Sequence, residues 1–448
     1  METRKILIQH ARLIDGNGNC TENCDLLVEG ERIKRIGQSL PMCESVSVLD
    51  ATGKTVMPGL IDGHTHFSVF ATTLATRTEE FLGKRYATVV RNLNDALKYG
   101  CTAACDCGGL ETGFVQAQMD GIIDGPRLKS CVTQIRSYGT IIDDMPGVGG
   151  AFSPITGYQR LPGFPNPYAV GPEECRKKVR EMIMYGASII KVINENIISY
   201  PWVNTQNVSY KLDEMQAIVD EAHNAGLKVT CHVASPETLK MAIAANVDCI
   251  DHASYADEKD AEEIIKKGIY VNFSVGNMIW YIEKNPKLNE SMRKMRSLTY
   301  TPSIETAREF FRSTMLPPLI KSINMFYRLG GAHLITMAPD INGGESGGTG
   351  MVSDMKAFVE AGMTPMEAIV ASTSNVAKYL DWYDLIGSLE EGKAADLLIV
   401  DGNPLDDISI LGDTGNLLLV MQAGRPVSGQ FMRLLPYEKP VNLTGWTF

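Results

Sequence analysis

Seven histidines occur in 448 residues, and their placement is uneven. His64 and His66 close the apolar stretch VMPGLIDGHTHFS. Side chains at i and i+2 on a β-strand face the same side, so both imidazoles look into one space. Two converging nitrogens suit a metal ion, although two polar residues at a frayed strand end would leave the same trace. His232 ends the run LKVTCH and His252 ends VDCIDH, both strand-like. Asp340, in HLITMAPDINGG, adds a carboxylate that can ligate a cation and accept a proton from water as a general base. Lys191, in GASIIKVINEN, stands where a buried ammonium is costly unless its charge is met or its amine modified. Reaction of that amine with carbon dioxide would give a carbamate able to bridge two metals. The other reading is a free ammonium that reaches the mouth of the fold or an acidic substrate group.

These residues need elements that bring them together. Eight apolar runs, at 55–66, 101–107, 127–136, 187–193, 227–232, 247–252, 269–273 and 333–340, alternate with amphipathic helical stretches. The helical stretches include 79–99, 172–185, 213–225, 237–244 and 256–267. Alternation predicts an α/β fold with a parallel sheet, and eight units predict a closed (β/α)8 TIM barrel; an open doubly wound sheet is the runner-up. In such a barrel every strand's C-terminal end opens on one face, where His64, His66, Lys191, His232, His252 and Asp340 would meet. Both ends of the chain instead read as short strands between Gly, Asn and Asp turns. We expect them to pair as one small β-sandwich, with 1–57 as its first part, 58–385 as the barrel and 386–448 as its second part. Segment 138–170 is too long for an ordinary connection and is expected to form a loop over the third strand's end. Segment 275–301 is either a lid or a surface excursion. TPMEAIVASTSNVAKYL carries a capping box at Thr364, Pro365 and Glu367, which pins a helix start.

A net charge of −11 argues against nucleic-acid and anionic-membrane partners. No apolar run approaches a membrane-spanning length or an export signal, so a cytoplasmic address is expected. The ten cysteines lack the spacing of a disulfide framework. Cys101, Cys105 and Cys107 read as small buried residues before thiolate ligands.

GLIDGHTH, the lysine of GASIIKV, the histidines of VTCHV and DHASY, and the late aspartate together resemble the amidohydrolase superfamily, in its prolidase-like and imidazolonepropionase-related branch. The resemblance extends through the tail IGSLEEGKAADLLIVDGNPL. It implies two zinc ions per chain, or other divalent transition metals, with His64 and His66 on the buried metal and His232 and His252 on the outer one. Carboxylated Lys191 would bridge them, and Asp340 would bind the buried metal and act as base. Imidazole and carboxylate donors suit zinc, and catalysis needs an open coordination position. Similar proteins place a tyrosine three residues after the sixth-strand histidine. Tyr255 would there donate to the developing oxyanion, unless it is an ordinary loop tyrosine. Arg136, leaving the third strand, would bind a substrate carboxylate as a fork, or is a solvated surface residue. His10, His223 and His333 are expected outside the site.

Two departures bear on substrate. GVGGAF lacks the histidine that many prolidase-like members carry after a Gly-Gly pair, which puts a dipeptide in doubt, and Pro339 precedes Asp340 where a small residue or threonine is usual. The expected activity is metal-dependent hydrolysis of an amide in a small molecule such as a dipeptide or an N-acyl amino acid. The alternatives are lactam or imidazolone ring opening, heterocycle deamination, or a non-enzymatic interaction protein on the same fold. A homo-oligomer is expected.

Overall fold

The computed structural model describes residues 4–42, 46–68, 82–138, 163–194, 209–233, 235–253, 256–284, 288–295, 300–340 and 345–435. Five strands come first: β1 (Lys5–Ile14), β2 (Cys20–Glu29), β3 (Arg32–Gly37), β4 (Val46–Asp50) and β5 (Lys54–Pro58). Nine more follow: β6 (Leu60–Thr65), β7 (Cys101–Asp106), β8 (Arg127–Ser130), β9 (Ile135–Arg136), β10 (Ile190–Ile193), β11 (Val229–His232), β12 (Cys249–Asp251), β13 (Tyr270–Asn272) and β14 (Ile335–Thr336). The chain closes with β15 (Leu397–Asp401), β16 (Leu417–Gln422) and β17 (Arg425–Ser428).

The two β-rich ends share one eight-stranded sheet, ordered β17-β16-β15-β5-β1-β2-β3 with β4 also on β1. Their meeting line is the antiparallel pair β5 and β15, where Val56 faces Ile399. Alternating apolar residues from both ends, including Ile6, Ile8, Val56, Leu397 and Leu419, form a core of their own. The described strands of both ends are joined by hydrogen bonds into this single ladder.

The middle strands are all parallel, in a six-stranded sheet β14-β13-β12-β11-β10-β9 and a three-stranded sheet β6-β7-β8. Backbone bonds tie the free edges of β6 and β14 together: Gly63 N donates to Met337 O at 2.9 Å, and Asp340 N to His64 O at 2.9 Å. Amphipathic helices separate the strands, among them Leu82–Lys98, Pro172–Met184, Leu212–Asn224, Pro236–Ala245 and Glu258–Lys267. The capping box at Thr364 forms, with Glu367 N donating to Thr364 Oγ1 at 3.2 Å and Thr364 N to Glu367 Oε2 at 2.7 Å.

Two expected strands are divided. The run 55–66 breaks at Gly59 into β5 of the large sheet and β6 of the parallel set. A Cβ on Gly59 would lie 2.1 Å from Thr102 Oγ1, so only glycine lets β6 lie this close to β7. The run 127–136 is interrupted between β8 and β9 by Val132, whose φ of 61° is rare for a β-branched residue. Of segment 138–170, the part from 139 to 162 lies outside the described residues. Segment 275–301 contributes two helices, Val275–Lys284 and Leu288–Met295. Ile282, Leu288 and Met292 from these helices pack with Ala307 and Phe311 into a small separate core.

Candidate metal centre

His64, His66, His232 and His252 sit at or just past the C-terminal end of a parallel strand, Asp340 follows β14 by four residues, and Lys191 lies within β10. β6 carries His64, and His66 follows one residue beyond it. Asp62 accepts the backbone N–H of His64 at 3.0 Å, which fixes the turn between the two rings. His66 Nδ1 lies 3.0 Å from the carbonyl of Gly108, beyond β7, so the opposite nitrogen faces the cluster. His232 ends β11. His252 and Asp340 each stand past a strand in left-handed backbone, φ 66° and 53°. Such strain in two non-glycine residues persists only where surrounding contacts hold it. Pro339 leaves the Asp340 carboxylate in the cluster, anchored by the bond from Asp340 N to His64 O.

Asp340 is the hub. Its Oδ1 lies 3.3 Å from His64 Nε2 and 3.1 Å from His66 Nε2. Its Oδ2 lies 3.7 Å from His252 Nε2 and accepts Asn277 Nδ2 at 2.9 Å. One ligand atom each from His64, His66 and Asp340 fall within 4.8 Å of one another, a group able to hold a metal ion. His232 joins through its ring, 4.7 Å from that of His252. Lys191, on β10, instead pairs with Asp251, on β12, and both are buried.

Burial is the strongest influence on His232, His252 and His64 and lowers all three. His252 falls to about 4 against the pull of Asp340, and His232 drops well below the usual imidazole range. These rings are therefore neutral. Burial also pushes the carboxyl of Asp340 up, but His64, His66 and His252 together outweigh it and hold the group ionised, well below the usual carboxylate range. His66 rises despite burial because Asp340 hydrogen-bonds to it. Burial opposes the charge on Lys191, and Asp251 more than restores it. Neutral imidazoles around an ionised carboxylate are a donor set for a divalent cation. His232 Nε2 is buried with no hydrogen-bond partner among the described residues, as a ligand nitrogen would be.

Arg136 differs from its surface reading. At the end of β9 it is fully buried, with its guanidinium carbon 5.2 Å from the centre of the Tyr168 ring. Tyr255 lies outside the described residues, as do Gly149, Gly150 and Ala151. His223 pairs with Asp248 at 2.8 Å, and His333 sits in the 3-10 turn Gly331–Leu334 before β14, both away from the cluster. Cys105 and Cys107 are buried in β7 and just beyond it, and burial pushes the Cys107 thiol well up, which keeps it protonated.

Two residues of the cluster were missed. Asp251 precedes His252 in CIDH, and an acidic residue inside a buried apolar strand is itself a signal, because it is costly without partners. Asn277, in the first turn of the helix Val275–Lys284, carries no comparable mark.

Residues 55–427 match the amidohydrolase family. The chain belongs to that family. This amidohydrolase is 27% identical over 451 residues to ochratoxinase of Aspergillus niger, covering 96% of this chain and 88% of the relative. The A. niger ochratoxinase structure superposes with a TM-score of 0.78 at 26% identity, over 96% of this chain and 97% of that one. Imidazolonepropionase of Shewanella piezotolerans is 24% identical over 420 residues, covering 90% and 92%. A prolidase complexed with N-methylphosphonate-L-proline shares the fold, with a TM-score of 0.80 at 24% identity over 95% of this chain and all of that one. The amidohydrolase is thus a hydrolase of this family type. No helix among its described residues is long and apolar enough to cross a membrane.

Proposed function

We propose that this amidohydrolase cleaves the C–N bond of a small amide, with dipeptides and N-acyl amino acids as the leading substrate class. The observation that carries the reading is the convergence of His64, His66 and Asp340 within 4.8 Å at strand ends, with His252 and His232 beside them. The two parallel sheets are read as one (β/α)8 barrel over 58–385, flanked by a β-sandwich domain from 1–57 and 386–448. His64, His66 and Asp340 would hold one zinc ion, His232 and His252 a second, and Lys191 would bridge them as a carbamate. Bound there, the cations would lower the pKa of water and polarise the substrate carbonyl. Asp340 has two differently placed oxygens for its two tasks: Oδ1 faces His64 and His66, while Oδ2 faces His252 and Asn277. In the reaction, Oδ2 takes the water proton and delivers it to the leaving nitrogen. Tyr255 donates to the carbonyl oxygen, and Arg136 receives a substrate carboxylate. A cytoplasmic homo-oligomer completes the reading.

Likeness to imidazolonepropionase favours one second reading, the opening of a cyclic amide by the same activated water. A panel of dipeptides, N-acyl amino acids and lactams, incubated with zinc-reconstituted protein and followed by mass spectrometry, tests both. Release of an amine from an open-chain amide that stops on chelation supports the first. Ring opening alone supports the second. Turnover of no panel member by protein shown to carry zinc contradicts both.

A further inference from the structure

Asp251 is fully buried and belongs to none of the ligand sets. All its acceptor capacity is directed. Oδ1 accepts Asn272 Nδ2 at 2.6 Å and lies 3.0 Å from His64 Nδ1, a close polar contact that falls short of hydrogen-bond alignment. Oδ2 accepts Thr230 Oγ1 at 2.8 Å and the amine of Lys191. Behind it, the Thr336 hydroxyl meets Asn272 Oδ1, which turns the Asn272 amide so that its NH2 faces Asp251. Strands β6, β10, β11, β12, β13 and β14 all contribute to this polar layer beneath the metal cluster.

We propose that Asp251 is the positioning residue of the centre, aiming His64 from one carboxylate oxygen and Lys191 from the other. A carboxylate against Nδ1 fixes the ring's orientation and keeps its proton on that nitrogen, leaving the Nε2 lone pair toward Asp340 and the cation. The lysine contact outlasts modification. From the ammonium form, carboxylation forms a bond from Nζ to the carbon of carbon dioxide and expels two protons, and the carbamate nitrogen keeps a hydrogen for Oδ2. Strand alternation alone would point Asp251 and His252 to opposite faces. The left-handed backbone at His252 turns its ring back, so consecutive residues serve one site at two depths.

This inference rests on the metal-centre reading, and its test separates the two. Metal-free wild type, Asp251→Asn and Thr336→Val are reconstituted with zinc and 13C-labelled bicarbonate. Zinc affinity is read by competition with a chromophoric chelator, the carbamate by 13C NMR, and folding by circular dichroism. Asp251→Asn should bind zinc about 10- to 100-fold more weakly and lose the carbamate signal while staying folded. Thr336→Val should shift affinity in the same direction by less, and it carries the test alone if Asp251→Asn does not fold. A purely structural role would lower the melting temperature and leave the folded protein's zinc affinity unmoved. Wild-type affinity and an intact carbamate in the folded variants overturn the inference alone. A wild type that binds no zinc overturns the metal-centre reading and this inference with it.

Discussion

Two buried ion pairs lie in different parts of this molecule and serve different ends. Arg127, on β8, forks onto Asp396, just before β15, with Nε at 2.7 Å and Nη2 at 2.9 Å. Asp396 also accepts the backbone N–H of Ala423 at 2.7 Å. That pair clamps the parallel strands to the terminal sheet. The Lys191–Asp251 pair is equally dry, but the Asp251 carboxylate also abuts His64, whose far nitrogen points on toward Asp340. Desolvation is unfavourable in both. In the first the return is docking of two sheets, and in the second it is geometry at a site where His232 Nε2 finds no protein partner among the described residues. A buried charge thus marks function by which further groups its partners reach, more than by its burial.

That contrast can be broken from either side. At the site, Asp340→Asn keeps the shape and removes the proposed base, so turnover should fall by about 10²- to 10⁴-fold with an unchanged melting curve. Near-normal steady-state turnover would refute the assignment. At the clamp, Asp396→Asn leaves Arg127 buried without its counter-charge, and urea unfolding should show a loss of about 3–5 kcal/mol. Turnover per folded molecule should stay at the wild-type level, and a parallel loss of turnover would erase the distinction between the two pairs. The smallest effect is a pH dependence. His252 takes up its proton near 6.5 when unfolded and near 4 when folded, so it makes the metal-free protein less stable as pH falls through that window. Between about pH 8 and about pH 5, metal-free wild type should lose about 2 kcal/mol more than His252→Asn in urea unfolding. Identical pH slopes would contradict a neutral, buried His252.

The convergence of the strand-end residues was legible because strand period and strand ends are local properties. His64 and His66 share a face by spacing alone, His232, His252 and Asp340 follow from where apolar runs stop, and Lys191 stands out as a charge inside one. What the sequence hid depends on distant partners. Gly59 divides one apparent strand into two because Thr102 of the neighbouring strand crowds it. Arg136 reads as a surface residue at a strand end, and its burial against Tyr168 depends on a segment more than thirty residues away. That Asp251 and His252, consecutive in sequence, both face the site departs from strict alternation and comes from the positive φ at His252. Asn277 meets Asp340 across 63 residues, through a helix whose position no local pattern fixes.

The central claim is that the strand-end cluster is a metal centre, and anomalous diffraction from crystals grown with zinc and bicarbonate tests it most directly. The account predicts two peaks, one within bonding distance of His64, His66 and Asp340 and one at His232 and His252, with carbamate density on Lys191 between them. No peak at this cluster, with zinc bound elsewhere or not at all, would contradict it.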